Sequence, residues 1–201
     1  MMEKFFNTAG PCKPDLHYMV DPLWRIDFDE IMSLIRQQRY FVLHAPRQTG
    51  KTTSLLAMVE AINAGDEFAC VYVNVEAAQT ARSDVKSGMG IIAMLLGNAI
   101  KRHLRIDSFV QWPAKSDAPI QEMLTALCQE MDRPLVLFID EIDSLVGDTL
   151  VSVLRQLRGG YDSRPALYPI SVILCGVRDV RDYRIHQSDG EIITGGSCFN
   201  V

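Results

Sequence analysis

The sequence predicts an α/β domain built on a mainly parallel central sheet. Three observations predict it. Short apolar runs rich in strand formers recur along the chain, helical periodicity fills the intervals between them, and Gly, Pro or Asp marks most of the junctions. A strand that returns to its own sheet through a helix lies parallel to its neighbour.

In order, residues 1–26 contain Gly10-Pro11, Pro14 and Pro22 and read as an extended, turn-rich lead-in. The remainder, 27–201, reads as one core. Asp27 to Arg39 carries Phe28, Ile31, Met32, Leu34 and Ile35 on one helical face. Tyr40 to His44 is the first strand and stops at Ala45-Pro46. Thr52 to Ala64 is a helix, ended by Gly65. Ala69 to Val75 is the second strand. Val85 to His103 is a longer helix, with interruption expected near Gly88 and Gly90. Ser108 to Pro119 reads as loop and Ile120 to Met131 as helix. Leu135 to Ile139 is apolar at every position, as in a strand covered on both faces. Asp148 is expected to cap a helix running to Arg158, before Gly159-Gly160. Ile170 to Leu174 is the fourth strand, and beyond Val177 the sequence turns polar and Gly-rich with no further clear element.

The 201 residues are 48% apolar and 22% charged, enough apolar material for a real core. A net charge of −5 supplies no bulk basic field for nucleic acid or anionic membrane. Cys12, Cys70, Cys128, Cys175 and Cys198 are scattered and form no C-x-x-C pair, so neither a zinc site nor a disulfide framework is expected. Reduced thiols in a cytoplasmic protein are the expectation. The N-terminus does not read as a signal peptide, and no window of 18 residues is apolar and uncharged, so no membrane span is expected.

Residues 45–52 read A-P-R-Q-T-G-K-T, against the phosphate-loop pattern G-x-x-x-x-G-K-[ST]. A strand precedes the segment and a helix follows it. In that setting, backbone N–H groups turn inward as a nest for phosphate oxygens, and the helix N-terminus adds partial positive charge. The nucleotide-binding residues are thus Ala45, Pro46, Arg47, Gln48, Thr49, Gly50, Lys51, Thr52 and Thr53. Gly50 permits close backbone approach, Lys51 pairs with the β- and γ-phosphates, and the Thr52 hydroxyl ligates Mg²⁺. Ala45 replaces the pattern's first glycine, and alanine does not take positive φ freely.

Residues 135–143 read L-V-L-F-I-D-E-I-D. An apolar strand ending in two acids suits the other half of an ATP site, because ligands bind outside the carboxyl ends of strands in open α/β sheets. Asp140 would hold Mg²⁺ through water. Glu141 would orient and polarise the attacking water, making Glu141 and Lys51 the catalytic pair. Asp143 is given no catalytic role; a cap on the next turn and a contact to arginine are its alternatives.

Together, F-V-L-H-A-P-R-Q-T-G-K-T (41–52) and V-L-F-I-D-E-I-D (136–143) resemble the additional-strand P-loop ATPases, specifically the AAA+ superfamily and its bacterial AAA-like and STAND-type ATP-binding proteins. F-N-T-A-G-P-C-K-P-D-L-H-Y-M-V (6–20) and V-I-L-C-G-V-R-D-V (172–180) are softer cues. The resemblance implies a P-loop NTPase three-layer sandwich with strand order 5-1-4-3-2. It places the 170–174 strand beside the phosphate-loop strand and sets the lead-in around His17 to Leu23 against adenine. It makes Arg178 a γ-phosphate sensor candidate, with Asp179 beside it, and Arg181 and Arg184 arginine-finger candidates. Such proteins continue into a fifth strand and a helical lid. Neither is expected here, which leaves the phosphate-loop strand at a sheet edge and suggests a truncated member.

Two functional readings follow. One is an ATP-binding and Mg²⁺-dependent hydrolysing core that couples nucleotide state to a protein partner, a homo-oligomer or a missing domain. The other is a catalytically weak remnant acting as an interaction module. A small-molecule kinase fits less well, since a glutamate after the strand suits water activation. A nucleic-acid partner stays open through Lys101, Arg102, His103 and Arg105, although cations at a helix C-terminus are ordinary.

Overall fold

Strands apolar at every position must be covered on both faces, and the computed structural model covers them so. It describes residues 3–8, 10–110 and 116–177, with the backbone of 185–186 and 192–193. Four strands, β1 (Phe41–His44), β2 (Ala69–Asn74), β3 (Leu135–Asp140) and β4 (Ser171–Gly176), form an all-parallel sheet in the order β1-β4-β3-β2. That is the expected order without a fifth strand. Among the described residues β1 is therefore an edge, and β4 lies between it and β3.

Side-chain alternation divides the core into two layers. Cys70, Tyr72, Val136, Phe138, Ile173 and Cys175 face α1 (Phe28–Arg36) and α2 (Lys51–Ala64). Val71, Val73, Leu137, Ile139, Val172 and Leu174 face α3 (Val85–Leu104), α4 (Pro119–Glu130) and α5 (Gly147–Gly159). The result is a three-layer α/β sandwich. The free edge of β2 is partly closed by a side chain. Asn63 Nδ2 donates to the Cys70 carbonyl (2.9 Å), and the Cys70 N–H donates to Asn63 Oδ1 (2.8 Å), as a neighbouring strand would.

Several boundaries differ from expectation. Helix α1 ends at Arg36, because Gln38 turns left-handed at φ 57°. Helix α3 runs unbroken through Gly88 and Gly90. Gly88 is there for close packing: a Cβ would stand 2.7 Å from Thr149 Cγ2 on α5. Pro119 opens α4 at a position that needs no N–H donor, rather than closing a loop. Asp148 does not cap α5; Val146 occupies that position, with Gly147 first in the helix. The lead-in contains a 3-10 helix, Pro22–Arg25, and a parallel bridge between Phe5 and His17. Beyond β4, the backbone pairs β5 (Ile185–His186) antiparallel with β6 (Ile192–Ile193), which the sequence did not announce.

Cys70, Cys128 and Cys175 are buried and free. Burial raises the Cys70 and Cys175 thiols well above the usual range and pushes Cys128 up to about 12, so all three behave as small hydrophobes. No metal-binding cluster of His, Cys, Asp and Glu occurs among the described residues. No described helix is long and apolar enough to cross a membrane.

Candidate functional site

The segment between β1 and α2 is shaped by two left-handed residues, Gln48 (φ 62°) and Gly50 (φ 81°). Ala45 is not among the positive-φ residues, so its methyl costs the loop no strain. It instead extends the strand pairing, its N–H donating to the Gly176 carbonyl (3.3 Å). Thr49 Oγ1 donates to the Pro46 carbonyl (2.8 Å) and pins the turn. Gly50 then starts α2 with no side-chain cap and no acid in the first turn. Helices α1 and α3 are capped by Asp27 and Asp84, whereas the first amides of α2 have no side-chain cap and are open to a ligand.

Position 50 is restricted by its φ, which belongs to glycine; a Cβ there would lie 2.9 Å from Arg25 Nη1, the end of a side chain long enough to move aside. Arg25 is the last residue of the 3-10 helix, which the Asp21 carboxylate caps through the Leu23 N–H (2.9 Å) and which Ser54 Oγ meets at the Pro22 carbonyl (3.4 Å). The lead-in is also tied to α2 where the Cys12 N–H donates to Thr53 Oγ1 (3.1 Å). Between them lies a mainly apolar cavity of about 290 Å³, lined by Tyr18, Val20, Pro22, Arg25, Gly50 and Thr53 among others.

Strand β3 delivers Asp140 beside α2. The carboxylate is wholly buried and carries three donors. Thr52 Oγ1 and the Tyr72 hydroxyl both donate to Oδ2, each at 2.9 Å, and the Glu141 N–H donates to Oδ1 at 3.0 Å. Glu141 itself is left-handed at φ 58°, which turns its side chain out of the strand. Its Oε1 lies 4.0 Å from Lys51 Nζ, with the two side chains 28% and 12% exposed. Burial raises the Glu141 carboxyl, Lys51 opposes that, and Asp140, Asp143 and Glu76 add to it. The Tyr72 phenol is also raised, first by burial and then by Asp140, so the hydroxyl keeps its proton and remains a donor.

Lys51, Thr52, Asp140 and Glu141 therefore converge within hydrogen-bonding or ion-pair reach, although two come from one end of the chain and two from its far half. Among the described residues Asp143 neither caps the next turn nor meets an arginine. Its Oδ2 accepts from the Val177 N–H (3.4 Å) at the end of β4, and its Oδ1 is buried without a hydrogen-bond partner among the described residues. Arg178, Asp179, Arg181 and Arg184 lie outside the described residues. The basic group ends α3, with Lys101 paired to Asp107 at 3.0 Å and Arg105 left-handed at the C-cap, as helix-dipole complementarity requires. Tyr72 and Arg25 are the functional candidates that sequence reasoning passed over. The one signal for Tyr72 was a hydroxyl inside an otherwise apolar strand.

A family model described as an AAA domain matches residues 35–183, which include both motifs. Among solved structures, the chain is similar to a Walker-type ATPase of Pyrococcus abyssi, with TM-score 0.55 and 16% identity, covering 85% of this chain and 51% of that one. It is similar to a structure of Drosophila ORC bound to poly(dA/dT) DNA and Cdc6, with TM-score 0.51 and 13% identity over 78% of this chain and 24% of that one. It is also similar to Cdc6p from Pyrobaculum aerophilum, with TM-score 0.50 and 20% identity over 82% and 41%. At such identities the likeness is one of fold, and the chain spans only 24% to 51% of the length of these three. Comparison with curated proteins gives no match.

Proposed function

The chain belongs to the AAA domain family of P-loop ATPases, and from that premise we propose that it binds Mg²⁺–ATP between the phosphate loop and the Asp140-Glu141 pair and hydrolyses it. The observation that carries the reading is the 2.9 Å hydrogen bond from Thr52 Oγ1 to Asp140 Oδ2. It joins the two motifs across 88 residues.

The residues suit the proposed ligands. Open amides at the start of α2, with no acid among them, favour phosphate oxygens. Lys51 adds a fixed cation, little exposed and held beside Glu141. A hydroxyl and a carboxylate meeting at one point form a hard oxygen donor set of the kind Mg²⁺ takes. Thr52 and Asp140 would hold the ion, whose charge would offset that developing on the phosphates. Thr52 would keep its proton on Asp140 while offering its oxygen lone pairs. Glu141, its carboxyl raised by burial, would accept the proton of the attacking water. Residues 45–53 would wrap the phosphates, and the 290 Å³ cavity against the lead-in would take the base.

In domain terms, 1–26 would form the base-side wall and 27–201 the core. The work done with ATP is proposed to pass to a protein partner or a second copy, because an ATPase core acts by changing what it contacts between nucleotide states. With a net charge of −5, a protein surface fits better than nucleic acid. The test is calorimetric titration with Mg²⁺–ATP and Mg²⁺–ADP. Micromolar binding of both is expected, and absence of heat with either nucleotide overturns the reading.

A further inference from the structure

Asp140 must be correctly turned to serve the site, yet it is wholly buried at the end of an apolar strand. A buried carboxylate needs donors on both oxygens. Oδ1 has the N–H of the next residue, a contact the backbone enforces. Oδ2 depends on two side chains, Thr52 and Tyr72. Their positions differ in kind. Thr52 belongs to the phosphate loop and has its own ligand to serve. Tyr72 comes from β2, whose register with β3 sets Tyr72 against Phe138 and Asn74 against Asp140. Its ring is packed in the core layer that also holds Phe138 and Met58, and the residue is 6% exposed. The hydroxyl therefore reaches Oδ2 from β2 and not from the phosphate loop.

Resting on the ATP-site reading above, we propose that Tyr72 is a positioning residue for the metal. It holds the Asp140 carboxylate by Oδ2 in one orientation, whether or not Thr52 is engaged with its ligand. Two donors on one oxygen also leave Oδ2 anchored when the Thr52 hydroxyl adjusts. Without the Tyr72 hydroxyl, a buried oxygen would keep only the donor that must also serve the ion. A phenylalanine at this position would pack as well as tyrosine, so packing alone does not require the hydroxyl.

The test compares Tyr72→Phe, Asp140→Asn and the double variant with the wild type. ATP is titrated with Mg²⁺ and again in excess chelator, and the ratio of the two affinities is the readout. Tyr72→Phe is expected to cut the Mg²⁺-dependent gain about tenfold, the size expected for one hydrogen bond to a charged group. Chelator-phase affinity is expected to stay within about twofold, as P-loop contacts are untouched. In the Asp140→Asn background, Tyr72→Phe is expected to change nothing further. A structural role would lower both affinities together and would persist in the double variant, and that result overturns the proposal. An unchanged Mg²⁺-dependent gain in Tyr72→Phe, with the gain lost in Asp140→Asn, also overturns it while leaving the ATP site standing. Absence of any ATP binding in the wild type removes the site and this inference with it. Should Tyr72→Phe fail to fold, the double variant decides: recovered folding in Tyr72→Phe with Asp140→Asn supports the contact, and failure of the double variant while Asp140→Asn alone folds overturns it.

Discussion

Glu141→Gln is expected to lower ATP turnover by about 10²- to 10⁴-fold, the usual contribution of a general base, while Mg²⁺–ATP affinity stays within about threefold. The amide matches the carboxylate in size and takes the same left-handed backbone, φ 58°, without new strain. It also keeps the N–H that donates to Asp140 Oδ1. What it loses is the ability to accept a proton. It also removes one negative charge from a group of acids that already pushes the Glu141 carboxyl up. Phosphate affinity therefore has no reason to fall and some reason to rise slightly. Turnover is read by phosphate release and binding by calorimetry on the same preparation. If the wild type binds nucleotide but releases no phosphate, the chain acts through nucleotide occupancy alone, as an interaction module. If Glu141→Gln turns over at the wild-type rate, the base lies elsewhere.

Lys51→Ala is expected to weaken Mg²⁺–ATP by about 100-fold, within the range for removing one partner from a desolvated charge pair. The ammonium is only 12% exposed at the side-chain level, so water does not screen it strongly. Its loss acts on both halves of the site. The phosphates lose their cation, and Glu141 loses the neighbour that, among the described residues, opposes its raised carboxyl. The fold should survive, because Lys51 starts a helix and contributes nothing to either apolar layer. A melting curve near the wild type, with most of the binding heat gone, is the expected pair of results. Equal heats for the two proteins would count against the phosphate loop itself.

Much of this was legible in the residues, and the reasons are specific. Strands β2, β3 and β4 announce themselves because they are buried on both faces and apolar at most positions, whereas β1 is buried at Phe41 and exposed by His44. The convergence of Lys51, Thr52, Asp140 and Glu141 was legible because local sequence marks a strand's end and a helix's start. The rest depends on contacts between distant segments. Gly88 reads locally as a break, yet it is the point where α3 passes Thr149 of α5. Ala45 reads as a defect in the loop, yet Gln48 and Gly50 take the left-handed turns. Arg25 reads as a lead-in charge until the 3-10 helix sets it against Gly50. Tyr72 reads as one more strand residue until the register of β2 on β3 brings its hydroxyl to Asp140. Alternation told which layer it faces but not what its hydroxyl meets.

The central claim is spatial: loop amides near Gly50 and the Asp140 carboxylate serve one bound magnesium triphosphate. A crystal structure with Mg²⁺ and a non-hydrolysable ATP analogue tests it most directly. Phosphates are expected over residues 47–52, with Mg²⁺ beside the Thr52 hydroxyl and the Asp140 carboxylate that accepts from it. A nucleotide bound elsewhere, or a metal that leaves Thr52 and Asp140 uninvolved, would contradict it.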